Sequence, residues 1–500
     1  MKRFQTLLLI PLLFLMLSYG CEEKIEQDQF GYISGVVYSD SANVPLENVA
    51  ITTSPASNAV LSEENGGFFL NNVPTGEVAV KAEKNGFTIK NASVNVTAND
   101  TAQVVILLTA NNNSGNGSEN FDGVLSNPDP QDNANNVAVD TSLRWSYTGD
   151  ENNITFDVYL YASNSGAHQK LGDNLSDTVV MLEQLDYETT YFWYVIARNS
   201  ANQTMVGDVW TFTTADLPDN RLTYVKQIST NAEVYTSGLE GDNELRITNN
   251  PTNDLNPALS PVLSRISFTS DRGNDYQIFH AKKDGSDLVQ ATTLPVAGYH
   301  NSGVGYCWSP NAGGFLYSHY DKIYYIDKDG SGLQAIKDTA PNGKNWRELD
   351  WNGNTNKIVA QAVGVNIYES EIYLMDADGS NLQLIVTDTA GRTDHPVFSA
   401  DGSKVLFTQD ASGLNQSDGR QLDARIYSLD LNTMRVTDLS GGNKPAGTND
   451  LMPEFSPNNA KIIFVNVDNT GSGQRDIYQM DVDGSDRELL IPDATMPHAK

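Results

Sequence analysis

The chain has 500 residues, enough for roughly three or four domains, and carries 32 Lys plus Arg against 63 Asp plus Glu, a formal net charge of −31. A chain this acidic repels phosphate backbones, which excludes nucleic acid as a partner and reads as a well-hydrated surface. Aromatic and β-branched residues punctuated by Gly and Asn favour strands joined by turns, and no long helical period occurs after residue 30.

The first element is a leader, residues 1–20. Lys2 and Arg3 precede the apolar run TLLLIPLLFLML, which is too short to span a bilayer and is interrupted by Pro11. It ends in Ser-Tyr-Gly-Cys. A small residue followed by Cys21 resembles the lipobox of bacterial lipoprotein signal peptides, with Ser18 where such motifs usually carry Leu. The resemblance implies cleavage before Cys21 and thioether lipidation of that residue. Acyl chains such as palmitate would then hold the chain to the membrane, each buried methylene contributing about 0.8 kcal/mol. Residues 21–29 form a charged tether. With Cys21 lipidated, Cys307 has no disulfide partner; lying in the apolar stretch GYCWS, it reads as a core residue.

Residues 30–110 alternate apolar and polar positions with a period of two, as in half-buried antiparallel strands, and Gly66-Gly67, Gly76 and Gly86 break the runs. The order SGVV, PLENVAI, ENGGFFLNNVPTGEVAV, NGF resembles the carboxypeptidase regulatory-like domain, a small β-sandwich, and implies a non-catalytic module. Residues 111–121, with NNNSGNGSEN, are a linker by composition. Residues 122–216 contain TSLRWSY, FDVYLYA, LDYETTYFWYVIARN and GDVWTFTTA, in an order that resembles a fibronectin type III domain. The resemblance places Leu185 and Tyr191 at the corner where a tyrosine ties the start of a strand to nearby backbone. The aromatic residues of this segment are expected in its core.

Residues 217–500 repeat. Five hairpins, IFHAKKDGSDL, IYYIDKDGSGL, IYLMDADGSNL, IYSLDLNTMRV and IYQMDVDGSDR, place Gly285, Gly330, Gly379, Thr433 and Gly484 at intervals of 45, 49, 54 and 51 residues. That period with about four strands per unit predicts propeller blades. Inner strands are expected near 256–260, 304–309, 346–351, 394–399 and 451–456. The segment 222–248 supplies three more strands but no inner one, and the terminal ATMPHAK mirrors DLMPEFS. The last seven residues are therefore expected to complete the first blade. The expected fold is all-β: two small β-sandwiches followed by a six-bladed β-propeller closed by the C-terminal strand, with no edge exposed. The hairpin pattern, preceded by W/F-S-P/A-x-G/N, resembles TolB-like β-propellers.

No G-x-S-x-G, H-E-x-x-H or Walker loop is present, and no cofactor is implied. The DGS segments fit tight hairpin turns better than calcium loops, because the full D-x-D-x-D-G-x5-E pattern is missing. His300, His395 and His498 fall at or near the start of inner strands, as do Asp254, Trp346, Arg347, Asp394 and Asp450. Rotational repetition points equivalent positions inward, so His300, Trp346, Arg347, Asp394, His395 and Asp450 are the candidate binding residues at one channel mouth. No catalytic residue and no metal site is assigned. The function expected is that of a non-enzymatic, lipid-anchored outer-membrane lipoprotein, periplasmic or surface-facing. Its propeller would bind an envelope protein or glycan, as the resemblance to TolB-like propellers implies, with the sandwiches as spacers. The rival expectation is a metal-dependent polysaccharide lyase, since histidines at the channel mouth resemble the metal site of TolB-like oligogalacturonate lyases.

Overall fold

The computed structural model describes residues 30–40, 44–84, 86–110, 123–149, 153–162, 168–201, 203–387, 391–470 and 473–500. Cys21 and its tether and the 111–121 linker lie outside them. The described chain is built of strands, with one 3-10 turn at Pro341–Gly343. Contacts divide it into two units, 1–216 and 217–500.

The first unit holds two sandwiches. In the first, Gly67–Pro74, Phe30–Ser39 and Thr101–Leu108 form one sheet, and Val60–Leu61, Ala50–Ser54, Gly76–Glu83 and Lys90–Val96 the other. Along Phe30–Ser39 every second residue turns inward, carrying Ile33 and Val37 into a core with Ile51, Leu70 and Val80. Gly35 is required there, because a Cβ would meet the Phe68 ring at 2.4 Å. The second sandwich pairs Gly123–Asp129, Thr141–Gly149 and Val179–Leu182 against a sheet led by Thr155–Ala162 and Thr190–Arg198. Trp145, Trp193 and Trp210 pack at its centre, the last two with ring centroids 4.7 Å apart. The expected tyrosine corner is formed: Tyr191 Oη accepts the Asp186 amide at 2.9 Å.

The second unit is a six-bladed propeller of four-stranded antiparallel sheets. Blades two to six begin with inner strands Asp254–Leu259, Tyr306–Trp308, Asn345–Asn352, Thr393–Phe398 and Thr448–Phe455. Blade one takes its outer three strands from Leu222–Ile228, Asn231–Ser237 and Leu245–Arg246, and its inner strand from Thr495–Ala499 at the other end of the chain. Leu222 pairs with Ala499 and Thr223 with His498. Beyond the strand, Lys500 N donates to Arg221 O at 3.0 Å and Arg221 Nε returns a bond to Lys500 O at 2.9 Å.

Each junction between blades has its own apolar cluster. The junction of blade six with blade one is built like the others, with Ile463, Val465 and Ile477 against Leu222 and Tyr224. Blades two and three share Ile278 and Trp308, and blades five and six share Leu406 and Phe464. A blade alone would leave both faces wet; repetition buries each against a neighbour.

The repeated turns explain the repeated words. In DGS hairpins the Asp side chain accepts from Ser two residues on: Asp329 Oδ1 takes the Ser331 amide at 3.0 Å and its hydroxyl at 2.7 Å. The glycine between them is left-handed, and it also touches the preceding blade. At Gly484 (φ 90°) a Cβ would lie 2.2 Å from the Leu439 carbonyl oxygen. Hairpin turn and blade joint therefore meet at one residue.

Candidate functional site

The inner strands are not regular. Each of five breaks register near its middle: between Leu255 and Ala258, Trp346 and Leu349, Asp394 and Val397, Leu451 and Glu454, and in the closing strand. At four of these bulges a left-handed residue precedes proline: Asn256, His395, Met452 and Met496, with φ between 50° and 54°. Such backbone costs on the order of 1–3 kcal/mol per residue and persists only where the surrounding fold holds it. Its effect is to turn side chains into the channel.

The channel encloses a cavity of about 480 Å³. Its polar wall is formed by Glu348 and Asp350 of blade four, His395 of blade five, Glu454 of blade six, and His498 and Lys500 of the closing strand; half-buried Trp351 and Cys307 add apolar surface. Several of these groups hold the bulges. Glu348 accepts the His395 amide at 2.6 Å, Asp350 accepts the Phe398 amide at 2.9 Å, and His498 Nδ1 accepts the Leu259 amide at 3.2 Å. A channel-facing acceptor on one blade thus satisfies a backbone amide of the next.

Charge is unevenly placed. Burial disfavours the His395 cation, but its 3.2 Å bond to Glu454 and the Glu348 carboxylate outweigh this and raise its pKa. Burial lowers that of His498, with Lys500 and His395 adding repulsion against the attraction of Glu454. Burial pushes the Asp350 carboxyl up, aided by Glu454 and opposed by the Phe398 amide. Burial also raises the Cys307 thiol well above its usual value, so it stays protonated.

The sequence-derived candidates fall into three groups. Arg347, Asp394 and His395 come together. Arg347 Nη1 lies 2.9 Å from Glu348 and 3.1 Å from Asp394, and Arg392 lies 2.5 Å from Asp394 on its other side. Burial would raise the Asp394 carboxyl, but the Arg392 and Arg347 guanidiniums hold it below the usual carboxylate range. Trp346 and Asp450, with Asp254, are fully buried. Trp346 packs in the joint between blades three and four, away from any channel surface. Asp450 is spent within the fold on Arg487 at 2.8 Å, Ser440 at 2.7 Å and Asn466 at 2.8 Å. Asp254 pairs in the same manner with Arg272 at 3.1 Å. His300 joins them through its backbone alone: its carbonyl accepts from Arg347 Nε at 2.9 Å, while its ring is exposed on a loop with Nε2 2.9 Å from the Val365 carbonyl. Cys307, expected in the core, is half-buried in the channel wall. Among the described residues no three His, Cys, Asp or Glu side chains converge in a group able to hold a metal ion.

Glu348, Asp350 and Glu454 were not among the candidates. Their signal was present as alternation in RELDWN and LMPEF, but a bulge shifts that alternation, and only the paired register reveals where it resumes.

Residues 33–117 match the CarboxypepD_reg-like domain family, which covers the first sandwich. Solved structures similar in fold include TolB from Acinetobacter baumannii, 15% identical over 62% of this chain and 79% of that one, with a TM-score of 0.45. A nidogen–laminin complex chain is 14% identical over 56% of this chain and 97% of its own, with a TM-score of 0.42. An oligogalacturonate lyase from Vibrio parahaemolyticus is 13% identical over 55% and 74%, with a TM-score of 0.36.

Proposed function

We propose that the chain is a non-enzymatic, lipid-anchored protein of the cell envelope, attached to the outer membrane through Cys21. Its propeller binds an envelope protein or a glycan through the channel, and the two sandwiches act as spacers. The observation that carries this reading is the 480 Å³ cavity, where bulged strands aim carboxylates and imidazoles at one space. Such groups bind hydroxyl and amine functions, while Trp351 supplies an apolar face. The carboxylates are engaged with backbone amides and imidazole, and the Cys307 thiol is held protonated, which favours recognition over bond-making chemistry.

The test uses the chain from residue 21 with Cys21→Ser, immobilised and exposed to envelope proteins and to an array of envelope glycans. One partner should be retained by this chain and lost by Asp350→Asn combined with Glu454→Gln. Equal retention by the double variant, no retention at all, or turnover of a polysaccharide by the purified chain would overturn the reading. Mass analysis of the native membrane-bound form should find acyl mass on Cys21.

A further inference from the structure

A second hollow, of about 160 Å³, opens where the inner strands of blades four, five and six begin. In a chain of formal charge −31 it gathers four guanidiniums, those of Arg347, Arg392, Arg420 and Arg475. Asp394 and Glu348, both in the hollow's lining, neutralise the first two, and Asp468 adds a third carboxylate at its edge. Arg420 has exposed Asp418 at 3.6 Å as its carboxylate partner, and its Nη1 donates to the Thr470 carbonyl at 2.8 Å. Arg475, at the start of the strand Arg475–Asp481, has no carboxylate within ion-pairing distance among the described residues. Although the residue is exposed at the strand start, desolvation by the atoms around its guanidinium and then the like charge of Arg392 hold its pKa below the usual guanidinium value.

Gln421 is an independent pointer. It lines the same hollow, is 6% exposed, and its Nε2 has no hydrogen-bond partner. A buried amide donor without an acceptor is unfavourable unless something fills the site. Its position is not loose. Arg420 and Gln421 sit on the loop 411–423, the longest link between the two middle strands of any blade. The Arg420 carbonyl accepts from Tyr368 Oη at 2.7 Å and the Gln421 carbonyl from Asn449 Nδ2 at 2.8 Å. Buried Asp410 then takes the Leu422 and Asp423 amides, each at 3.0 Å. The backbone is pinned on both sides, so the side chains are presented by a fixed platform.

We propose that this hollow binds an oxyanion group, a carboxylate, sulfate or phosphate carried by a larger ligand, with Arg475 and Arg420 supplying charge and Gln421 Nε2 a third donor. Guanidinium forks match the paired oxygens of such groups. The volume is below the roughly 300 Å³ of a site that encloses a whole ligand, so the anionic group enters and its carrier stays outside. The hollow shares Glu348 and His395 with the wall of the channel cavity, but its existence does not rest on the function proposed above.

The experiment is calorimetric titration of the chain from residue 21, Cys21→Ser, at low ionic strength with sodium sulfate, phosphate and acetate, and chloride as control. Saturable binding of at least one oxyanion is expected, weakened about tenfold or more by Arg475→Gln and abolished by Gln421→Glu, which puts a carboxylate where the amide stood. Both variants should melt like the parent without anion. Should Gln421→Glu fail to fold, Arg475→Gln, at a solvent-accessible strand start, carries the test alone. Preference for acetate identifies a carboxylate carrier, and preference for sulfate or phosphate an ester. No saturable heat with any of the three, or undiminished binding by Arg475→Gln, overturns the proposal.

Discussion

Two faces of the same inner strands hold polar residues of the same kinds in different surroundings. Two residues before the bulge stand Asp254, Thr393 and Asp450, and immediately before it in blade four stands Trp346, all 0% exposed. One residue later, in blades four and five, stand Arg347 and Asp394, which reach each other across the blade junction and border an open hollow. Adjacent positions on a strand point to opposite faces, so the first set enters the blade joints and the second faces the channel side. Asp450 and Asp394 are both buried aspartates beside arginine. For Asp450 the arginine is roofed: Arg487 stacks on Phe464 at 4.5 Å and Tyr478 at 5.3 Å. For Asp394 the arginines border the second hollow, and Arg347 is held there by the His300 carbonyl at 2.9 Å and Gln361 at 3.0 Å. Chemical identity therefore says less than register about which carboxylate belongs to a site.

The largest effect should come from removing what holds both faces in register. Deleting residues 494–500 strips blade one of its inner strand and uncovers Ile463, Val465 and Leu222 at the last junction. Each such side chain contributes roughly 1.5–3 kcal/mol when fully buried, and a domain's whole margin is about 5–15 kcal/mol. The truncated propeller should lose its cooperative melting transition. A truncated chain that melts at the parent's temperature would show that the terminal strand is not the ring's closure, and the register comparison would lose its basis.

A finer cut separates the two aspartates. Asp450→Ala leaves Arg487 buried without a counter-charge and should cost about 3–5 kcal/mol in urea unfolding. Asp394→Ala frees Arg347 and Arg392 beside a hollow that admits water and ions, and Glu348 still pairs with Arg347 at 2.9 Å. The cost should be about 1–3 kcal/mol, and salt should reduce it further. Equal costs for the two would erase the distinction between joint and site.

Much of this architecture could be read from the residues, and the reasons are local. DGS hairpins announce themselves because turn chemistry depends on neighbours two residues apart, as Asp329 and Ser331 show. The closing strand was legible because Met496-Pro497 repeats Met452-Pro453, and both place a left-handed residue before proline at the bulge. Trp346 and Asp450 looked like site residues because they lie at inner-strand starts. Their burial depends on partners far away in sequence, such as Arg487, which no spacing rule connects to Asp450. Arg420 and Gln421 were invisible for the opposite reason. They belong to an insertion that no other blade shares, so the repeat offered nothing to align them with.

The smallest effect concerns the two channel imidazoles, which the same register logic places on one wall with opposite titration. His395 faces Glu454, Glu348 and Arg347, and its folded pKa lies above the ordinary value near 6.5. The stability it contributes is fully present below that value and is lost as pH rises through the folded pKa. His498 faces Glu454, Lys500 and His395, and its folded pKa is depressed. Its contribution is present above the unfolded value and is lost as pH falls through the folded one. Near pH 6.5 the charged His395 and the neutral His498 coexist, and stability should pass through a shallow maximum there. Imidazole NMR of the full chain should show the two rings titrating on opposite sides of that pH. His395→Gln should flatten the alkaline limb and His498→Gln the acid limb. Titration of both rings on the same side would mean that Glu454 serves them alike, and that the bulge at His395 does not bring it closer to the acidic wall than His498.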